Sequence, residues 1–183
     1  MHTPLAVAVM ALLRERPMHP YELHQLLQDR HLDEFIKTSA GSLYHTVDRL
    51  ARDGFVEAVG TEREGNRPER TTYRVTERGQ LAVRTWVRDR LARPQREYPA
   101  YTYALHEAHN LEPTEAVEAL NERCAALAQD LARIEADLAS RNPSPVYRIG
   151  ADRKVHLLRS ELAWTRDLIG RIERKDFPWH PWT

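Results

Sequence analysis

Between Lys37 and Arg49 the chain sets out Lys37, Ser39, Ser42, Tyr44, His45 and Arg49, side chains that hydrogen-bond to phosphate oxygens and to base edges. Read as a helix that starts at Ser39, this stretch puts Leu43, Val47 and Leu50 on one face at i, i+4 and i+7. Gly41, His45, Asp48, Arg49 and Arg52 fall opposite, and Ser42 and Tyr44 sit at the two edges. A helix can enter the major groove only if one face is free of core and carries small or hydrogen-bonding groups. Its first turn also offers backbone N–H groups and the positive end of the helix dipole to a phosphate. Taken alone, the pattern fits an ordinary capped surface helix better.

The next twenty-odd residues change the reading. Arg63, Arg67, Arg70 and Arg74 lie on or beside one tight turn marked by Gly65-Asn66 and Pro68. Arginines at a hairpin tip reach phosphates or the narrow minor groove, although Glu62, Glu64 and Glu69 dilute the charge. The elements around these residues decide between the readings. Thr3-Pro4 starts a helix carrying Leu5, Val9, Leu12 and Leu13, which stops before Pro17. Pro20 starts a second, with Tyr21, Leu23, Leu26 and Leu27, and Phe35 and Ile36 lead to Ser39. Gly54 is placed to end the third helix. Phe55, Val56 and Val59 begin a strand, and Tyr73 and Val75 lie on the returning one. Thr76 caps a fourth helix with Leu81, Val83, Trp86, Val87 and Leu91, closed by Pro94. Helix, helix, exposed helix, basic hairpin, helix is the order of a winged helix-turn-helix that binds double-stranded DNA.

From Pro94 the character changes. REYPAYTYALHEAHN predicts a short helix, and Thr114 is the expected cap of a long one. Val117, Leu120, Cys124, Leu127, Leu131, Ile134 and Leu138 recur at 3-4-3-4-3-4 spacing, a heptad seam for a helix packed lengthwise on a partner. After the break RNPSPV, a last helix carries Val155, Leu158, Leu162, Ile169 and Ile172, with Leu157, Trp164 and Leu168 widening its face. The pair reads as an antiparallel αα-hairpin. The expected fold is therefore mainly α with a small β-hairpin wing: a DNA-binding domain at 1–93 and a helical dimerisation and effector domain at 94–183. Leu120, Leu127, Leu131, Ile134 and Leu138 are its expected homodimer contacts, because a stripe that long exceeds what one short neighbour covers.

Composition bounds the rest. The 183 residues are 42% hydrophobic and 30% charged, with zero formal net charge, so a DNA surface must be a focused patch. No apolar run nears the ~20 residues of a membrane span, and the apolar start lacks the basic flank and cleavage site of a signal peptide. The lone Cys124 fits a reducing cytoplasm. No nucleophile elbow, P-loop or dinucleotide glycine motif is present, so an enzyme is not expected. His106 and His109 are spaced to chelate, but no paired Cys or His motif completes a site, and neither metal nor cofactor is expected. Trp86, Tyr98 and Tyr101 could line a pocket for a flat aromatic or cationic effector, or could glue the two domains together. Trp164 is assigned to seam packing. The tail FPWHPW, which cannot be helical, either docks on the hairpin or the partner subunit or forms a loose end.

Three segments resemble the PadR family of bacterial transcriptional regulators: MHPYEL at 18–23, SAGSLYHTVDRLARDGFV at 39–56 and TTYRVTERG at 71–79. The second half is similar in layout to the longer, Vir-type members. The resemblance implies a dimeric winged-helix regulator, usually a repressor released by a small effector or by stress, with DNA contacts at Ser39, Ser42, Tyr44, Arg67 and Arg70. Two positions depart from the family pattern. Pro20 stands where glycine is usual, and His45 where proline is usual, which puts a titratable donor on the DNA face. A winged-helix adaptor that binds protein, and a MarR-type regulator dimerising through both chain ends, are the alternative readings. The long seam confined to the second half argues against the latter.

Overall fold

A computed structural model describes residues 2–62 and 70–179, with side chains described for 2–60 and 71–179. The chain divides into two compact units, 1–96 and 97–183.

The first unit is built on α1 (Pro4–Leu12), capped by the Thr3 hydroxyl, which accepts from the Ala6 N–H at 3.3 Å. This helix is apolar on nearly all sides and buries Leu5, Ala6, Val7, Val9, Met10 and Leu12, so it forms the centre of the unit. Around it lie α2 (Pro20–Asp29), α3 (Ala40–Arg52) and α4 (Glu77–Ala92). The antiparallel strands β1 (Val56–Glu62) and β2 (Arg70–Val75) pair from Val56↔Val75 outward to Glu62↔Arg70. The register shifts between Ala58 and Gly60, so Val59 is an extra residue and stands exposed instead of joining a core face. Met18 and Tyr73 exchange both backbone hydrogen bonds at 3.0 Å, tying the ribbon to the α1–α2 connection.

Gly79 sets the distance between α4 and the foot of the ribbon. A Cβ there would lie 2.2 Å from the Phe55 carbonyl oxygen and 2.6 Å from Val75 Cγ2, so any larger residue forces the backbone apart. Leu81, Val87 and Leu91 of α4 are exposed, and Val83 alone of its expected apolar residues is buried.

The second unit holds α5 (Ala100–His106), α6 (Pro113–Arg141) and α7 (Pro145–Glu173), with α6 and α7 antiparallel. The cap of α6 is Glu112, not Thr114. Glu112 donates its N–H to the Glu115 carboxylate at 2.9 Å, and Pro113 takes the first helical position, so the helix begins two residues earlier than the threonine suggests. Asn142 ends α6 in the left-handed region, with φ 40°. The heptad seam is covered within the chain. Leu120 and Cys124 pack with Leu162, Ile169 and Ile172, and Ile134 and Leu138 pack with Val155. Leu127 and Leu131 are partly buried in the same layer. The partner expected on this stripe is therefore α7 of the same chain. Arg123 donates from Nε to Glu161 at 2.9 Å and Arg159 pairs with Glu135, fixing the helix register. No described helix is long and apolar enough to cross a membrane.

Candidate nucleic-acid interface

The exposed face of α3 is a consequence of how rigidly its other face is held. Leu43 and Val47 have no exposed surface and Leu50 has 1%, so the helix cannot roll. Thr46 is also buried, an inward residue that the 3.6-residue pattern does not mark. Its hydroxyl donates to the Ser42 carbonyl at 2.7 Å and needs no other partner. At the start of α3 the Ser39 hydroxyl accepts from the Ser42 N–H at 3.2 Å, and the Ser42 hydroxyl accepts from the Ser39 N–H at 2.9 Å. Both serines thus shape the helix start, and both remain exposed.

At the other end Gly54 lies at φ 74°, the Gly54 N–H reaches the Ala51 carbonyl at 3.0 Å, and the Phe55 N–H reaches Leu50 at 2.9 Å. This is a Schellman closure, and it launches the chain directly into β1. Arg78 locks the corner by donating to the Asp53 carbonyl at 2.9 Å while lying over the Phe55 ring.

Lys37, His45 and Arg49 come together in one surface groove of about 540 Å³, shared with Thr3, Pro4 and Leu5 at the start of α1 and with Phe35 and Ile36. The sequence places His45 and Arg49 on one face but gives no sign that α1 supplies the other wall. His2 lies close by, its ring edge-on to Phe55 at 4.5 Å. Burial holds its pKa below the ordinary value, and neighbouring positive charge, Arg49 included, acts in the same direction. Tyr44 is exposed at the opposite edge of α3, its ring edge-on to His19 at 6.2 Å. His19 caps α2: Nδ1 accepts from the Tyr21 N–H at 3.0 Å, and Glu22 accepts from the His19 N–H at 2.9 Å.

Of the wing residues, Arg67 and Arg63 lie outside the described residues. Arg70 is placed by its backbone, paired with Glu62 at the outer end of the ladder. Arg74 donates to Glu57 across the strands at 2.7 Å, so its charge is partly met inside the ribbon.

The three expected effector residues are divided between the two units. Trp86 belongs to the first unit, packs against its core and donates from Nε1 to the His2 carbonyl at 3.1 Å. Tyr98 is exposed ahead of α5. Tyr101 lies under the Arg123 guanidinium, 3.3 Å from the ring centroid, and lines a cavity of about 750 Å³ in the second unit. Trp164 is not buried in the seam. It is about half exposed and lines the same cavity, as do Phe177 and Trp179, which dock on the helical hairpin. Among the described residues no three His, Cys, Asp or Glu side chains are grouped to hold a metal.

Residues 9–85 match the transcriptional regulator PadR-like family. The whole chain is similar in fold to Bacillus subtilis PadR in complex with operator DNA, at 16% identity and a TM-score of 0.78, covering 93% of this chain and 99% of that one. Bacillus subtilis PadR in complex with p-coumaric acid aligns at 15% identity over 92% of this chain and 98% of that one, with a TM-score of 0.78. The Vibrio cholerae virulence activator AphA aligns at 14% identity over 93% of this chain and 98% of that one, with a TM-score of 0.71. The likeness thus includes the carboxy-terminal helical region as well as the winged helix. No curated protein sequence matches the chain significantly.

Proposed function

We propose that this protein is a homodimeric, non-enzymatic transcriptional repressor of the cytoplasm, which binds a pseudo-palindromic operator and is released by a small aromatic effector. Residues 1–96 form the reading domain and residues 97–183 the dimerisation and effector domain, close to the boundary expected after residue 93. The observation that carries the reading is α3. One face is fully committed to core, the other bears His45 and Arg49, and both ends are closed so that the polar face is held for a groove.

In this reading Ser39 and Ser42 present the first turn of α3 to a phosphate, Lys37 adds charge beside it, and Tyr44, His45 and Arg49 face the bases. Arg67 and Arg70 grip the flanking backbone. Bacillus subtilis PadR, a protein of the same fold, has been crystallised both with operator DNA and with p-coumaric acid, which supports an operator and an aromatic effector here.

The dimer contact moves from α6 to α7. Val146, Ile149 and Leu157 are exposed. At about 100° per residue they fall within about 80° of arc, opposite the face that packs on α6. A helix apolar on two faces needs two neighbours, and a second copy supplies the other.

Fluorescence anisotropy on DNA selected by the protein tests the interface. Arg67→Ala with Arg70→Ala weakens binding to all sequences alike and lowers the log–log salt slope by about 0.9 per lost contact. His45→Ala costs about 1–3 kcal/mol at one operator position and relaxes preference there. A salt slope and a preference both unchanged, with the fold intact, overturn the placement of these residues on DNA.

A further inference from the structure

The cavity of the second unit has a composition that the reading of a generic effector does not specify. Its walls come from α5, the first half of α6, the second half of α7 and the segment after α7, all within residues 97–183. At about 750 Å³ it falls in the size range of small-molecule sites, ~300–1,000 Å³. Four aromatic rings line it: Tyr101, Trp164, Phe177 and Trp179. Phe177 and Trp179 lie with ring centroids 6.2 Å apart and planes tilted by 30°, so they form neighbouring panels of one aromatic wall. That wall is pinned by the Trp179 Nε1–H, which donates to the Leu111 carbonyl at 2.8 Å. Most of the remaining lining is aliphatic.

Arg123 and Glu107 put both signs of charge on the wall, beside His106, His109 and Thr102, so neither sign of ligand charge is favoured outright, and two polar features bear most on what such a cavity would hold. The charge of Arg123 is already met, since its guanidinium is bonded to the Glu161 carboxylate and stacked on Tyr101. An anion therefore gains little from it. The Tyr101 hydroxyl, by contrast, is buried and has no hydrogen-bond partner among the described residues. A buried hydroxyl in that state bears an uncompensated desolvation cost, which an acceptor atom brought in by a ligand would recover.

We infer that this cavity binds an uncharged, planar aromatic molecule carrying a hydrogen-bond acceptor such as a ring carbonyl, stacked on the Phe177–Trp179 wall and bonded to the Tyr101 hydroxyl. The inference rests on the effector reading above and gives it a place and a ligand class. The aromatic segment after α7 is held by the Trp179 indole bond and by the Arg171 guanidinium over the Phe177 ring, so the wall on which a ligand stacks is fixed in place.

Three probes on one ring system separate the possibilities: acridone (neutral, with a ring carbonyl), acridine-9-carboxylate (anion) and 9-aminoacridine (cation). Titrated into the full-length protein without DNA and followed by calorimetry and tryptophan emission, acridone binds at least tenfold tighter than either charged probe. Tyr101→Phe, which keeps the ring and loses only the hydroxyl, weakens acridone about tenfold. Trp164→Ala, which removes a ring of the lining and leaves that hydroxyl in place, weakens all three probes by a similar factor.

Absence of acridone binding at its solubility limit, equal binding of the three probes, or a Tyr101→Phe protein that binds acridone like wild type overturns the inference. A cavity filled by a second copy of the chain gives the first of these results. DNA affinity is measured separately on the same samples. Intact operator binding with no acridone binding removes this site and leaves the regulator. Acridone binding with no DNA binding does the reverse.

Discussion

The two units solve the burial problem differently. In residues 1–96 one contiguous core joins every helix and the foot of the ribbon, and Val9, Met10, Met18, Leu23, Leu27, Leu43 and Val47 have no exposed surface at all. In residues 97–183 the buried residues form two small clusters along one helix–helix seam, and apolar side chains remain outside on α7. A two-helix layer has one interior face per helix, whereas α1 is wrapped on all sides. Each unit therefore draws its stability from a different source. The first is complete as folded and can hold a polar helix face rigidly against DNA. The second leaves an apolar stripe on α7 uncovered within the chain, where the proposed second copy would pack.

Mutations can break this contrast. Leu43→Ala, at a site with no exposure, costs about 2–5 kcal/mol and abolishes DNA binding by unfolding the first unit, which thermal melting followed by circular dichroism reads. Leu131→Ala, partly buried in the thinner layer, costs less in the same assay. Equal costs would erase the distinction. Ile149→Glu, on the exposed stripe of α7, leaves each chain folded but gives a monomer in sedimentation, and operator affinity falls by about a hundredfold or more. A dimer of normal mass would return the contact to α6.

Ser39→Ala removes the α3 cap and costs about 1 kcal/mol, confined to the first unit. Exchange of the α3 amides rises while α6 and α7 amides keep their protection. The smallest effect is with pH. The carboxylate of Glu22 is held below its ordinary value chiefly by the His19 N–H and also by Arg16, and that of Glu15 chiefly by Arg30. A depressed carboxylate adds stability above its unfolded pKa and loses it as pH falls through the folded one. Acid titration below the ordinary glutamate range therefore loosens the first unit slightly, and Glu22→Gln flattens that slope. Both pairs are well exposed, so solvent screens most of the effect.

The part of this fold legible in the sequence is the part written in local periodicity and local caps. Thr3, Ser39 and Gly54 announce helix ends through side-chain chemistry that acts within a few residues, and Leu43, Val47 and Leu50 mark the buried face of α3. His19 escapes notice as a cap because imidazole is an uncommon acceptor at that position, although its Nδ1 serves as a hydroxyl would. The α6 seam is legible as a stripe, but a stripe does not say whether its cover is intramolecular. Here the antiparallel return of α7 decides it. The aromatic cavity is legible only in pieces, Tyr101 as a pocket residue and the tail as a segment that can dock on the hairpin, because what joins them is the return of the chain through α6 and α7. Proximity in sequence instead groups Trp86 with Tyr98 and Tyr101, yet the Trp86 indole is bonded to His2 in the first unit.

A rigid reading unit, paired with its copy through an incomplete helical one, should leave its mark on the DNA that the full-length protein selects from a random pool. The expected product is a pseudo-palindrome whose half-sites are centred one helical turn apart, about 34 Å. Enrichment of a single half-site would contradict the pairing, and no enrichment over input would contradict the reading unit itself.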